Sequence, residues 1–134
     1  MIVVDTNVIG YLYLSSERSA QAEMALFKDA EWVAPLLWRS ELRNVLARYI
    51  HNKLLTLEDA IQIMDEAIAM MRDHEYGVSS THVLNLAAES ACSAYDCEFV
   101  ALARALKVPL VTVDQQVLEQ FSALAISLED FVAQ

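Results

Sequence analysis

Two patterns of apolar residues alternate along the chain. Short continuous apolar runs are typical of strands buried on both faces, and longer stretches with an apolar residue every three or four positions are typical of amphipathic helices. Five strands are predicted, over residues 2–4, 31–34 (ending at Pro35), 76–79 (the weakest), 110–113 and 123–126. The chain is therefore predicted to be a single α/β domain, residues 1–134, built as a three-layer α/β/α sandwich around a central, mainly parallel sheet.

The stretches between these strands predict helices, some with capping residues at their starts. They cover about 8–14, 18–29, 36–52, a long stretch after Thr56, 81–91, a stretch opened by Ser93, and a terminal helix capped by Ser127. The helix after Thr56 carries an apolar stripe that includes Met64, Met70 and Met71. Methionine is common in cores and at adaptable partner surfaces, so both interpretations of this stripe stay open.

Composition narrows the class of protein. With 134 residues, 56 % of them apolar and 21 % charged, the chain has enough apolar surface for one folded domain and is not intrinsically disordered. No apolar run approaches the ~18 residues of a membrane span, and Asp5 interrupts the first one, which has no basic lead-in. Cys92 and Cys97 fit no disulfide framework and no zinc pattern. We expect reduced thiols in a cytoplasmic protein with no membrane partner.

Two aspartates directly follow predicted strands. Asp5 comes after residues 2–4, and Asp114 comes after residues 110–113. Because the carboxyl ends of parallel strands meet at one edge of a sheet, both side chains are expected at the edge where ligands bind. If the two strands are neighbours, ~4.8 Å apart, the carboxylates would share a cation, since close like charges raise each other's pKa. The alternative is that each aspartate caps the helix that follows it.

Two further acids lie within predicted helices. Glu41 has apolar neighbours along the chain, so its side chain is not expected to be fully exposed to solvent. Asp96 lies in the first turn of its helix, three residues after Ser93, where capping and compensation of the helix dipole are the competing explanation. Glu98 is expected on another face of that helix, because residues two apart do not share a face.

These acids occur in an order that resembles a known family. The chain resembles the PIN-domain family of metal-dependent ribonucleases in four places: Asp5-Thr6-Asn7 after the first strand, Glu41 in the helix after the second, Ser93-Ala94-Tyr95-Asp96 at the start of a late helix, and Thr112-Val113-Asp114 at the end of a strand. The resemblance is nearest to the VapC-type toxins of prokaryotic toxin–antitoxin pairs and covers essentially the whole chain. None of the four motifs is specific alone, but together they make a strong signal.

The resemblance implies a metal-dependent endoribonuclease that hydrolyses RNA with water activated by Mg²⁺ or Mn²⁺. Asp5 and Asp96 would be the principal metal ligands, and Glu41 and Asp114 would complete the acidic pocket directly or through water. The side chains that would order the pocket from behind are Thr6, Asn7, Ser93 and Thr112. Attack by water would leave a 5′-phosphate and a 3′-hydroxyl, with one ion or two. The resemblance also implies a homodimer and a cognate antitoxin that blocks the pocket.

The net charge of −10 at first argues against a nucleic-acid partner, because duplex-binding proteins are usually basic. The basic residues are concentrated, however. Residues 36–53 contain four of them against one acid, a local charge of +3 that leaves −13 on the rest of the chain. Arg48 lies two turns from Glu41 on the same helical face and is a candidate contact for a substrate phosphate. Arg39 and Arg43 point elsewhere and could serve a dimer edge, and an ordinary solvated face is the alternative for the whole helix.

Other functions with acids at strand ends fit less well. A phospho-acceptor receiver domain would need paired acids after the first strand and a lysine near the last, which Asp5-Thr6-Asn7 and Lys107 do not provide. A phosphatase of the D-x-D type does not fit, because position 7 is Asn. A PIN scaffold that binds RNA or a partner without catalysis remains the alternative. No histidine is placed as a catalytic base, and all three are expected at surfaces or element ends: His51, His74 and His82.

Overall fold

The computed structural model describes all residues, 1–134, and contains five strands and eight helices. The strands are β1 (Ile2–Val4), β2 (Trp32–Pro35), β3 (Glu75–Tyr76), β4 (Leu110–Thr112) and β5 (Ala125–Ser127). They form one sheet in the order β3-β2-β1-β4-β5, and every neighbouring pair is parallel. The predicted α/β fold around a sheet of five strands is confirmed, and the sheet is parallel throughout.

The helices cover the sheet and connect its strands. They are α1 (Thr6–Tyr13), α2 (Ser19–Lys28), α3 (Leu37–His51), α4 (Leu57–Met71), α5 (Ser80–Glu89), α6 (Ala94–Leu106), α7 (Gln115–Gln120) and α8 (Leu128–Ala133). Every residue of β1, β2 and β4 is buried, which is why these strands appear in the sequence as continuous apolar runs. Their apolar side chains pack in a hydrophobic cluster of 32 buried residues.

The two strands that end in aspartates are neighbours at the centre of the sheet. Val3 of β1 is in register with Leu110 of β4, and Val4 is in register with Val111. The chain leaves β1 toward β2 on one side, while β4 lies on the other side, so the strand order reverses between β1 and β4. In parallel sheets, such a reversal opens a crevice at the carboxyl ends of the strands. The condition under which Asp5 and Asp114 were expected to lie close together, that their strands are neighbours, is met.

Several element boundaries differ from the prediction by one to three residues, and three of the differences have an identifiable cause. Helix α1 begins at Thr6 rather than near residue 8, because its N-cap is Asp5, the residue directly before Thr6. Strand β3 is Glu75–Tyr76 rather than 76–79, because the chain leaves the sheet after Tyr76 and Ser79 caps α5. Strand β5 is Ala125–Ser127 rather than 123–126, because the backbone amides of Leu124 and Ala125 both bond to the carbonyl of Phe121 in a turn.

Arg39 of α3 is engaged within the chain. Its Nε and Nη2 donate to the two carboxylate oxygens of Glu75, each at 2.6 Å, and Nε1 of Trp38 donates to Oε2 of Glu75 at 2.8 Å. The hydrogen bond from Arg39 is the main cause that lowers the pKa of Glu75. These bonds connect edge strand β3 to the first turns of α3. The guanidinium of Arg39 is therefore not a free charge for the dimer edge that its position in the sequence suggested.

The methionine stripe of α4 is largely core. Met71 is fully buried, Met64 and Met70 are half-buried against the hydrophobic cluster, and the hydroxyl of Tyr13 donates to Sδ of Met70 at 3.5 Å. The two cysteines are buried and unpaired, as expected for thiols outside a disulfide framework. None of the eight helices has the length and apolar character that crossing a membrane requires.

Candidate active site

A cavity of about 250 Å³ opens at the carboxyl edge of the sheet, next to the ends of β1 and β4. Thirteen residues line it, and they include all four predicted acids, Asp5, Glu41, Asp96 and Asp114. Four different segments supply these carboxylates: the junction of β1 and α1, the second turn of α3, the first turn of α6, and the junction of β4 and α7. The fold thus brings together four acids that are widely separated along the chain.

Asp5 caps α1 and faces the cavity. Its Oδ1 accepts from the backbone amide of Val8 at 3.0 Å, and its Oδ2 accepts from the backbone amide of Val113 at 3.2 Å and from the hydroxyl of Thr112. Although the residue keeps some exposed surface, protein atoms surround its carboxylate, and this burial raises the pKa of Asp5. The hydrogen bond from Thr112 is the main opposing effect. Capping, the alternative explanation for Asp5, is therefore correct and is compatible with a place in the pocket.

Asp114 is linked to Asp5 through Thr112. The Thr112 hydroxyl donates to Asp5 and accepts from the backbone amide of Asp114 at 3.1 Å. Asp114 in turn caps α7, since its Oδ1 accepts from the amide of Val117 at 3.0 Å. Its Oδ2 forms no hydrogen bond. Thr112 is buried at the end of β4, so one hydroxyl fixes the relative positions of the two strand ends.

Glu41 is oriented by a second threonine. Its Oε1 accepts from the hydroxyl of Thr6 at 2.7 Å, and its Oε2 forms no hydrogen bond. Burial raises the pKa of Glu41, the bond from Thr6 opposes that rise, and the negative charges of Asp96, Asp5 and Glu98 add to it. The apolar sequence neighbours of Glu41 correctly indicated a carboxylate that is only partly solvated.

Asp96 is positioned by the start of α6. Its backbone amide donates to Oγ of Ser93, the N-cap, at 3.1 Å. Cys92 and Cys97, both buried, occupy the two positions of this helix start where apolar residues form a hydrophobic staple. Burial is the main cause that raises the pKa of Asp96, and the charge of Asp114 is the next. The capping role predicted for Ser93 is therefore present, and it places Asp96 at the rim of the cavity.

The electrostatics of the pocket favour a bound cation. Burial is the first cause of the raised pKa of Asp5, Glu41 and Asp96, and each of these carboxylates also feels at least one other acid of the pocket. Carboxylates in this situation take up either protons or a cation. The starts of α1 and α6 at the pocket add partial positive charge, which moderates the repulsion without removing it.

The donor set suits a hard divalent ion. Oxygen is the donor in every acidic side chain of the cavity, and neither histidine nor cysteine lines it. As the side chains are placed, no three acids, histidines or cysteines are close enough to ligate one ion together. Mg²⁺ does not require that, because it retains several waters and commonly takes one or two direct carboxylates. Oδ2 of Asp114 and Oε2 of Glu41 are free oxygens for such contacts.

The predicted supporting residues have different positions. Thr6, Asn7 and Thr112 line the cavity, whereas Ser93 acts from outside it as the cap of α6. Arg48 lines the cavity from α3 and is exposed, which fits a phosphate contact. The helical spacing of the sequence places Asn44 on the face that carries Glu41 and Arg48, and Asn44 lines the cavity with them. The site also contains residues to which the sequence gave no role in it: Val45, Phe99, Leu110 and Val117. The spacing from Asp96 to Phe99 could have identified one of them.

Comparison with known proteins agrees with this geometry. The family model described as the PIN domain matches residues 2–124. Ribonuclease VapC3 from Pyrobaculum aerophilum is 32 % identical over 126 residues, which cover 92 % of this chain and 96 % of that protein. Among solved structures, PAE2754 from Pyrobaculum aerophilum superimposes with a TM-score of 0.77 at 16 % identity and covers 98 % of this chain and 86 % of its own. FitAcB from Neisseria gonorrhoeae gives 0.76 at 14 % identity, with 96 % and 99 % covered.

Proposed function

The chain belongs to the PIN-domain family, and we propose that it is a metal-dependent endoribonuclease that acts as the toxin of a toxin–antitoxin pair. Its similarity to a ribonuclease along nearly the whole length of both chains supports the nuclease class. The observation that carries the proposal is the convergence of Asp5, Glu41, Asp96 and Asp114 on one cavity at the carboxyl edge of the sheet.

Asp5 and Asp96 are the principal ligands in this proposal, with Glu41 and Asp114 as direct or water-mediated ligands of Mg²⁺ or Mn²⁺. When bound, such an ion lowers the pKa of a coordinated water and stabilises negative charge on the phosphate oxygens. The raised pKa values of three of these carboxylates support the assignment, because a divalent ion offsets both the cost of burying their charge, which is the main cause, and the repulsion between them.

The residues of the chain contribute orientation and selectivity. Thr6 holds one oxygen of Glu41, which leaves Oε2 to orient a water beside the scissile phosphate. Thr112 holds Asp5 and Asp114 at a fixed separation. Arg48 would bind a phosphate oxygen, since it is an exposed guanidinium on the wall of the cavity. The products expected from attack by water are a 5′-phosphate and a 3′-hydroxyl.

The remaining parts of the proposal concern partners. A cognate antitoxin with a basic segment would suit the acidic pocket, because a cationic side chain can neutralise the carboxylates there. A homodimer and a cytoplasmic location are also proposed. The two free thiols support the location, since reducing compartments maintain them. Light scattering of the purified chain tests the homodimer.

Cleavage of total cellular RNA tests the enzymatic proposal. The purified chain is incubated with RNA and Mg²⁺ or Mn²⁺, beside Asp5→Asn and Asp96→Asn variants and a chelated sample. We expect fragments with 5′-phosphates from the wild-type chain with metal, and none from the three controls. Equal fragmentation by the wild type and both variants would indicate a contaminating nuclease and overturn the proposal.

The second candidate is a scaffold that binds RNA or a protein without cleaving it. The exposed Arg48 on the cavity wall would serve binding as well as catalysis. The cleavage experiment, with a filter-binding assay beside it, separates the two candidates. A binding module would retain labelled RNA on the filter and leave the length of the RNA unchanged with either metal.

A further inference from the structure

One arginine outside the cavity is held in place without being neutralised. Nη1 of Arg18, in the turn between α1 and α2, donates to the hydroxyl of Tyr11 at 3.2 Å. Arg18 is exposed and forms no ion pair, in contrast to Arg39, whose charge Glu75 balances. An arginine oriented by a neutral phenol keeps its positive charge available for an anion. Because the side chain is already ordered before the anion binds, binding loses less conformational entropy.

The backbone that carries Arg18 is also fixed. Oγ of Ser16 accepts from the amide of Arg18 at 3.1 Å, Oγ of Ser19 accepts from the amide of Ser16 at 3.0 Å, and the Ser19 hydroxyl donates to the carbonyl of Leu14 at 3.1 Å. The turn is therefore ordered by its own side chains. Both ends of Arg18, the amide and the guanidinium, have defined positions.

This arginine is connected to the catalytic edge through α1. Asn7 lines the cavity from the first turn of that helix, and Tyr11 lies four residues later, on the same helical face. Asn7 and Tyr11 are about one helical turn apart, roughly 6 Å along the axis of α1, and the Tyr11 hydroxyl holds the guanidinium of Arg18, so the three side chains form a polar strip that begins at the pocket. The pKa of Arg18 is raised, mainly by the bond with Tyr11, and the negative charges of Glu17 and then Asp5 contribute to the rise.

Given the proposed ribonuclease function, on which this inference rests, we infer that Arg18 binds a backbone phosphate of the RNA strand outside the bond that is cleaved. Arg48 contacts the strand on the α3 wall, and Arg18 contacts it beyond Asn7 on α1. The strand therefore crosses the acidic pocket between two cations, which offset the repulsion between the carboxylates and the RNA backbone. Tyr11 is a positioning residue for Arg18 and does not touch the reacting atoms.

Substrate length is the sharpest test, because a phosphate outside the cleaved bond exists only in a longer substrate. Arg18→Ala, Arg18→Lys and Tyr11→Phe are compared with the wild type on a dye-labelled, mixed-sequence single-stranded RNA and on bis(p-nitrophenyl) phosphate, a diester without flanking phosphates. Arg72→Ala, which removes an exposed arginine at the end of α4, is the control for net charge.

We expect Arg18→Ala to raise KM for the RNA roughly three- to tenfold with little change in kcat, and to reduce the dependence of binding on log[salt] by about one unit. Arg18→Lys should recover part of the affinity, and Tyr11→Phe should give a smaller loss than Arg18→Ala. None of the variants should alter cleavage of the small diester, and Arg72→Ala should match the wild type on both substrates.

Binding of the labelled RNA, measured by fluorescence anisotropy without metal, separates this inference from the function on which it rests. If the wild type cleaves RNA and Arg18→Ala has unchanged KM, affinity and salt dependence, the inference is wrong and the ribonuclease function stands. If no metal supports cleavage but RNA binding still depends on Arg18, the function is wrong and the phosphate contact stands. A loss of small-diester cleavage in Arg18→Ala also overturns the inference. So does an Arg18→Ala variant that binds and cleaves RNA normally and is impaired only in binding a protein partner.

Discussion

The hydroxyl of Thr6 donates a 2.7 Å hydrogen bond to Oε1 of Glu41 and so connects the first residue of α1 to the second turn of α3. Burial raises the pKa of Glu41, and this bond is the main effect that lowers it. Thr6 is itself buried, and it directly follows Asp5, so the same short segment holds one acid of the pocket and orients another. The geometry of the pocket therefore depends on a residue that has no charge.

Replacing that hydroxyl should reduce activity. Thr6→Val keeps the shape of the side chain and leaves Oε1 of Glu41 without a donor. Because a hydrogen bond to a charged group contributes about 1.5–3 kcal/mol, we expect RNA cleavage to fall by about one to two orders of magnitude. Thr6→Ser, which retains the hydroxyl, should remain close to the wild type. Equal rates for the valine and serine variants would contradict the role given to this bond.

The pocket should also make the metal-free protein less stable at neutral pH than in mild acid. The pKa values of Asp5, Glu41 and Asp96 are raised by burial above their ordinary 3.8, 4.5 and 3.8. The folded state therefore binds protons more tightly than the unfolded state, and stability falls as pH rises from these ordinary values through the raised ones. A group whose pKa differs by one between the folded and unfolded states changes the free energy of unfolding by about 1.4 kcal/mol.

Thermal unfolding in the presence of a chelator checks this. We expect a higher Tm at about pH 5 than at about pH 7, and a smaller difference once Mg²⁺ is added, because an ion that binds only the folded state stabilises it. The double variant Glu41→Gln, Asp96→Asn should show a flatter profile. A metal-free Tm that rises steadily from mild acid to neutrality would contradict the electrostatic description of the pocket.

The convergence of the four acids on one edge of the sheet could be predicted from the sequence more accurately than the ends of some elements. Asp5 and Asp114 could be placed because continuous apolar runs identify buried strands, and parallel strands end at a common edge. Periodicity does not reveal the order of the strands in a sheet. That β1 and β4 are neighbours could therefore only be assumed from the sequence. The two-residue strand β3 was misplaced because it is defined by backbone bonds to β2, from the amides of Ala34 and Leu36 to the carbonyls of His74 and Tyr76, and such long-range pairing has no local signal.

The supporting contacts were harder to predict than the acids. The sequence indicated Thr6 and Thr112 through their family resemblance, but which hydroxyl holds which carboxylate depends on how α1, α3 and β4 pack together. The ion pair of Arg39 could not be predicted for the same reason, since its partner Glu75 lies 36 residues away along the chain. Arg18 was not predicted at all, because no motif contains it and its link to Tyr11 exists only in the folded chain.

The contacts of Glu75 predict that a substitution there lowers stability and leaves activity unchanged. Glu75→Gln removes the charge that balances Arg39 and weakens the attachment of β3 to α3. Because Arg39 is solvated, we expect a modest decrease in the free energy of unfolding, seen as a lower midpoint of urea denaturation. Glu31→Gln is the control, because Glu31 is exposed and lies 3.9 Å from the amino terminus. RNA cleavage per folded molecule should not change in either variant.

Two glutamates whose pKa values are both raised by burial should differ in function. Burial raises the pKa of both Glu41 and Glu98, and Glu98 contributes to the raised pKa of Glu41, but only Glu41 lines the cavity. Glu41→Gln keeps an acceptor for Thr6 and removes the charge, so we expect cleavage to fall by at least about two orders of magnitude, a size common for essential groups of a metal site.

Glu98→Gln should retain nearly full activity under the same conditions. It removes the same charge at a nearby position, so it controls for any general effect of acidity on RNA binding. Initial rates at saturating Mg²⁺, with circular dichroism to verify folding, measure both variants. If Glu98→Gln is as inactive as Glu41→Gln, the boundary drawn for the pocket is wrong, and the second carboxylate of α6 must be counted as part of the metal site together with Asp96.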